Sequence, residues 1–145
     1  MKIALGADHA AFQLKEKIKK HLKQMNYIPE DFGTHSEESC DYPDIAHPLA
    51  KSVAAKDCQL GIALCGSGNG INMTLNKHES IRAALCWKKE LAELARQHNN
   101  ANVLVLPARF IEEDEALSCV EIFLKTDFEG GRHQRRVEKI AINNG

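Results

Sequence analysis

The chain has 145 residues, 43% of them hydrophobic and 27% charged, a balance that fits one globular domain over residues 1–145 and argues against disorder. Its 19 Lys and Arg against 20 Asp and Glu leave a net charge of −1, which excludes a strongly basic nucleic-acid binder and an acidic tail protein alike. No apolar run reaches the roughly 20 residues that cross a bilayer. The opening Met1-Lys2-Ile3-Ala4-Leu5-Gly6-Ala7-Asp8-His9 meets an acid and a histidine too early for a signal peptide. A cytoplasmic protein with neither nucleic-acid nor membrane partners is expected.

Apolar periodicity switches repeatedly between strand and helix spacing. Lys2 to Leu5 is a strand-like run, and Ala11 to Met25 places Phe12, Leu14, Ile18, Leu22 and Met25 at helical spacing. Tyr27 to Phe32 is a second strand, Gly33 to Pro43 a polar loop, and Ile45 to Ala55 a helix. Leu60 to Leu64 is a continuous apolar run of the buried-strand kind, and Gly68 to Asn76 opens a helix. Ile81 to Leu85 and Asn102 to Leu106 are further strands, separated by a helix from Trp87 to Gln97. Ile111 to Leu124 is helical, and Gly130-Gly131 breaks the chain before a basic helical stretch from Arg132 to Ile142. Strand and helix alternate five times. Parallel strands need crossover helices, so a doubly wound α/β three-layer sandwich follows, Rossmann-like, with a five-stranded parallel sheet and a C-terminal basic helix. In such sheets ligands gather beyond the carboxyl ends of the strands.

Five cysteines, Cys40, Cys58, Cys65, Cys86 and Cys119, are odd in number and irregularly spaced, which speaks for reduced thiols rather than a disulfide framework. Cys65 differs from the rest by its place in Leu64-Cys65-Gly66-Ser67-Gly68-Asn69-Gly70-Ile71. There a buried strand runs into a glycine-rich turn and a helix, a nest of inward N–H groups suited to a phosphate or an oxyanion. Two readings stand: a ligand loop, or a tight turn with no ligand. A thiol bared at that rim, beside N–H dipoles, is favoured as thiolate and could act as nucleophile or base; an inert core thiol is the other reading. Ile71 stands where a dinucleotide fingerprint needs glycine and where a cysteine phosphatase needs arginine.

Asp8 and His9 follow the first strand and reach the same edge, although Asp8 would serve equally as a helix cap. His98, in Arg96-Gln97-His98-Asn99-Asn100-Ala101-Asn102, precedes the fifth strand and so falls on the opposite edge. Read alone it suits a helix C-terminus. Arg132 and Arg136 are four apart and share a helix face, which could grip a phosphate or merely be solvated. Arg109 follows the fifth strand at the carboxyl edge. No carboxylate or histidine cluster with metal-ligand spacing is visible, and neither a metal nor another cofactor is expected.

Taken together and in register over nearly the whole chain, Gly6-x-Asp8-His9, Asp41-Tyr42-Pro43-Asp44, Cys65-Gly66-Ser67-Gly68-Asn69-Gly70, Asn76-Lys77, Arg96-Gln97-His98-Asn99 and Gly130-Gly131-Arg132-His133-x-x-Arg136-Val137 resemble the type B ribose-5-phosphate isomerases. The wider group includes galactose-6-phosphate and allose-6-phosphate isomerases. The resemblance implies an aldose–ketose isomerase working by metal-independent proton transfer through an enediolate. It implies Cys65 as base, His98 as the acid/base that opens the furanose ring with Ser67 close by, and Asp8 and His9 on the sugar phosphate. It makes Gly66, Ser67, Gly68, Asn69 and Gly70 the anion hole, puts Asn99 on a substrate hydroxyl, and Arg109, Arg132 and Arg136 on the phosphate. It also implies a homodimer or homotetramer with shared sites, in which His98 comes from the partner and Val137 and Ile140 pack on a neighbour. Members with a glutamate base carry it where Ile71 stands here, so the cysteine subtype is implied. Pro107 replaces a glycine common in relatives just before the position of Arg109. A six-carbon sugar phosphate, or a non-catalytic phosphosugar-binding module on the same fold, is the alternative.

Overall fold

The computed structural model describes residues 1–142. Its strands are β1 (Lys2–Ala7), β2 (Ile28–Asp31), β3 (Leu60–Cys65), β4 (Ala83–Leu85) and β5 (Val103–Pro107). They form one parallel sheet in the order β2-β1-β3-β5-β4. The helices are α1 (Phe12–Gln24), α2 (Tyr42–Ala54), α3 (Asn69–Leu75), α4 (Lys89–Asn99), α5 (Glu113–Lys125) and α6 (Arg132–Glu138), with single 3₁₀ turns at His9–Ala11 and Ala108–Phe110.

Alternation along each strand divides the core in two. Ile3, Leu5, Ile62, Leu64 and Leu104 face one side, with Ile18 of α1, Ala92 of α4 and Phe123 of α5. Ala4, Ala63, Cys65, Val103 and Val105 face the other, with Leu49 of α2 and Ile71 and Leu75 of α3. The doubly wound sandwich expected from the alternation is therefore what forms. The chain leaves β1 toward β2, then crosses back to β3 on β1's other side. That reversal splays the connections apart between β1 and β3 and makes their carboxyl ends the switch-point crevice.

The element limits differ from expectation for local reasons. Helix α2 begins at Tyr42 rather than Ile45, with Pro43 in its first turn, where a missing N–H costs nothing. Strand β4 begins at Ala83 rather than Ile81, because the Asn102 side chain takes over: its Oδ1 accepts the Arg82 N–H (2.8 Å) and its Nδ2 donates to the Ser80 carbonyl (2.7 Å). Helix α6 stops at Glu138 instead of Ile142, turning through Lys139 N–H to Arg136 O and Ile140 N–H to Val137 O. Ile140 is 58% exposed and has no core to extend the helix against. Among the described residues no helix is long and apolar enough to cross a membrane.

Candidate active site

Three neighbouring strands deliver polar residues to the carboxyl edge. At the end of β1, Asp8 is buried, its N–H donates to the Leu64 carbonyl (3.2 Å), and its Oδ1 accepts the Ala10 N–H (3.1 Å). Asp8 is thus a cap and a site-edge residue at once, the second carboxylate oxygen being left over. His9 receives the Cys40 backbone N–H on Nδ1 (3.2 Å). The neutral ring therefore carries its proton on Nε2, as a donor. This link ties the polar loop between β2 and α2 to the site.

At the end of β3 the chain passes through Gly66 to Gly70. Gly68 caps α3 at φ +81°, a conformation that favours glycine. Ser67 Oγ accepts the Asn69 N–H (3.2 Å), which leaves the hydroxyl proton free to donate outward. Thr74 Oγ1 donates to the Gly70 carbonyl (2.9 Å) and holds the loop down. Beyond β5, the Arg109 N–H donates to the Gly66 carbonyl (3.0 Å). The Arg109 side chain covers Gly66 closely enough that an added Cβ would lie 3.4 Å from its Cδ. Pro107 is paired with Cys65 as the last residue of β5 and keeps Arg109 in this place.

Cys65 is the last residue of β3, as expected, but its sulfur is not bared: the residue is only 4% exposed. Its side chain points to the face covered by α2 and α3, in the same apolar cluster as Ile71 and Val105. Three of the other thiols, Cys58, Cys86 and Cys119, fit the inert reading. Burial pushes Cys86 up to about 12, and Cys119 likewise to about 12 through burial, Cys86 and nearby carboxylates. Cys58 is also raised, mainly by burial, despite the Ser52 hydroxyl donating to it (3.2 Å).

Tyr42, at the start of α2, lies over Gly70. Its bearing on the loop is visible only in three dimensions, since the two are 28 positions apart in sequence. An open hollow of about 230 Å³ adjoins Ser67, lined by Leu85, Trp87, Pro107 and Phe110. Trp87 is 50% and Phe110 74% exposed there.

The remaining candidates lie at the other end of the sheet. Helix α4 delivers His98 and Asn99 to the amino edge, and Asn100, in the left-handed region, caps it instead of His98. Arg132 and Arg136 are exposed on α6. This helix is not free of its own chain: His133 is buried, its ring stacked on His98 at 4.2 Å between centroids and 10° between planes. Burial, His98 and Arg132 lower the His133 pKa, with Glu129 opposing and Arg136 adding to them. His98, Glu129 and His133 bring three donor atoms within 4.8 Å of one another. The sequence shows no such cluster, because Glu129 and His133 meet His98 only through the packing of α6 on α4. A larger hollow, about 690 Å³, also opens at this end, between the turn before β4 and α6, lined in part by Arg82, Asn100 and Val137.

The candidate residues therefore fall into two groups at opposite edges of the sheet. Strand β5, Val103 to Pro107, separates Asn99 from Arg109, about 17 Å at the usual rise per residue. His98 cannot reach the glycine loop of its own chain.

The Ribose/Galactose Isomerase family model matches residues 3–140. The ribose-5-phosphate isomerase B of Escherichia coli is 43% identical over 140 residues, covering 97% of this chain and 94% of that protein. The crystal structure of a ribose 5-phosphate isomerase from Thermotoga maritima superposes with a TM-score of 0.94 at 51% identity, over 96% of each chain. That of ribose-5-phosphate isomerase B from Mycoplasma genitalium, with bound ribulose-5-phosphate, superposes at 0.92 with 43% identity, over 96% of this chain and 93% of that one.

Proposed function

The chain belongs to the ribose/galactose isomerase family, and on that footing we propose that it interconverts ribose 5-phosphate and ribulose 5-phosphate at a site built from two copies of itself. The observation that carries this reading is the convergence of Asp8, Cys65, the Gly66–Gly70 loop and Arg109 on the switch-point edge, with Arg109 hydrogen-bonded to Gly66. His98, Asn99, Arg132 and Arg136 wait at the opposite edge. A two-fold pairing that sets the carboxyl edge of one copy against the amino edge of the other completes both sites at once. Exposed Trp87 and Phe110, beside Ser67, offer apolar surface for that contact.

Arg132 and Arg136 of the second copy, with Arg109, hold the phosphate, which orients the sugar remote from the reacting carbons. His98 of the second copy opens the furanose: its imidazole takes the C1 hydroxyl proton and gives one to the ring oxygen, ending neutral. Cys65, as thiolate, removes the C2 proton of the open aldehyde. The carbonyl electrons move to O1, and the enediolate is held by the loop N–H groups and the Ser67 hydroxyl. The proton returns to C1, the O2 proton passes to O1, and the ketone forms at C2. Asp8, the Nε2–H of His9 and Asn99 hold sugar hydroxyls and phosphate oxygens. We place the reaction in the cytoplasm, within pentose phosphate metabolism.

Cys65→Ala is expected to lower turnover of ribose 5-phosphate by about 10²–10⁴-fold while sugar-phosphate affinity changes little. Solvent deuterium entering the sugar reads the proton transfer directly. Retention of most of the turnover in the alanine variant sinks the base assignment, and no exchange with wild-type protein leaves a mere binder. A kcat/KM panel over five- and six-carbon sugar phosphates ranks the substrates, and a six-carbon winner displaces ribose 5-phosphate.

A further inference from the structure

Resting on the reading that His98 opens the sugar ring, we propose that Glu129 is a positioning residue for that step: its carboxylate, with His133 stacked alongside, fixes the His98 imidazole and stabilises the charge the ring takes up. The Glu129 carboxylate straddles the pair. Its Oε1 lies 3.9 Å from His98 Nε2 and its Oε2 4.0 Å from His133 Nε2. The placement is built by the backbone, since the Glu129 N–H donates to the carbonyl of Gln97 (3.1 Å), the neighbour of His98. Arg96 reinforces it by donating from Nε to the Thr126 carbonyl (3.1 Å). The Glu129 side chain itself is 50% exposed and supports no core.

Ring opening asks one imidazole to give a proton to the ring oxygen and to hold another from the C1 hydroxyl. An imidazole at the surface with no carboxylate turns freely and gains no stabilisation when charged. Here the stacked His133 blocks rotation of the ring plane. Burial, His98 and the arginines of α6 lower the His133 pKa while Glu129 raises it, and the carboxylate lies as near to His98 as to His133. A metal ion suits this cluster poorly. The two ring planes are stacked, so their in-plane lone pairs lie in separate, near-parallel planes, and Arg132 and Arg136 supply positive charge nearby.

The two directions of the reaction separate this role from a structural one. Ribose 5-phosphate is a furanose and must open. Ribulose 5-phosphate has its O5 esterified, cannot close to a furanose, and exchanges its C1 proton with solvent through the Cys65 step alone. In Glu129→Gln we expect turnover of ribose 5-phosphate to fall by about tenfold or more, while deuterium exchange into ribulose 5-phosphate stays within about threefold of wild type. Glu129→Asp should recover part of the loss. His98→Asn, assayed in parallel, should show the same split. If His98→Asn shows the split and Glu129→Gln turns over ribose 5-phosphate normally, the Glu129 role is wrong and the His98 reading stands. If Glu129→Gln loses exchange and turnover together, Glu129 merely holds α4 and α6 in place and the proposal is overturned. If His98→Asn retains turnover, the ring-opening reading falls and the proposal with it.

Discussion

At Gly70 the space that a side chain would need is already filled by Tyr42, whose Oη lies 2.7 Å and whose Cζ lies 2.4 Å from the position of an added Cβ. At Gly68 the obstacle is Leu85 Cδ1 at 2.4 Å, and the backbone there is also left-handed. The two glycines therefore fail differently. Tyr42 is at the exposed start of α2 and can swing aside, so Gly70→Ala is expected to cost under about 1 kcal/mol of stability yet to lower kcat/KM by displacing the ring from the loop. Gly68→Ala has to accept an unfavourable φ and crowd a half-buried leucine, a loss of about 2 kcal/mol or more. Urea unfolding beside steady-state kinetics separates the two. Equal stability losses would show that Tyr42 is not free to move.

Helix α1 and strand β2 are joined by an ion pair with an unusual degree of burial. Lys15 is fully buried, and its Nζ lies 2.5 Å from Asp31 Oδ2, with Lys19 Nζ at 3.1 Å from the same oxygen. Asp31 Oδ1 accepts the Gly33 N–H (2.9 Å), which fixes where β2 ends beside β1. Burial alone would raise the Asp31 carboxyl, but Lys15, the Gly33 N–H and Lys19 outweigh it and hold it below its ordinary value. A carboxyl lowered in the folded state stabilises fully above its unfolded pKa, about 3.9, and loses that contribution as pH falls through the folded value. Asp31→Asn leaves the buried Lys15 ammonium with only Glu16 Oε2, at 3.0 Å, as a carboxylate partner, and is expected to cost up to about 3–5 kcal/mol at pH 7. The gap to wild type should hold down to about pH 5 and close below about pH 4. Denaturant unfolding across that range reads it, and a gap that widens in acid would contradict the sign. Elements of this kind show the limits of periodicity. Ile18 and Leu22 mark the buried face of α1 at helical spacing, but Lys15 lies on that face too, and nothing in a lysine's surroundings along the chain announces a partner 16 residues on.

For the whole molecule, the proposed sharing of one site between two chains makes activity a property of pairs of chains. Cys65→Ala and His98→Asn should each be nearly inactive alone. Mixed and allowed to exchange subunits, half of the dimers are hybrid, and each hybrid holds one intact site: Cys65 from one chain and His98 from the other. About a quarter of wild-type activity should return. Absence of recovery, with subunit exchange confirmed by mass measurement, would show that the two half-sites do not meet across chains.

Residues near one another in sequence needed little more than the sequence to be understood. The alternation of strand and helix, the glycine loop after Leu60–Leu64, and Asp8 and His9 following the first strand all depend on periodicity and turn chemistry, which act over a few residues. The tertiary structure alone decided what depends on distant segments meeting. It set β1 between β2 and β3, laid Tyr42 over Gly70, folded the Cys65 side chain into the α2–α3 face, and stacked His133 on His98 within reach of Glu129. Such contacts form because burying apolar surface and pairing its few trapped charges lowers the free energy of the whole chain, and no local stretch of sequence encodes which faces will be brought together.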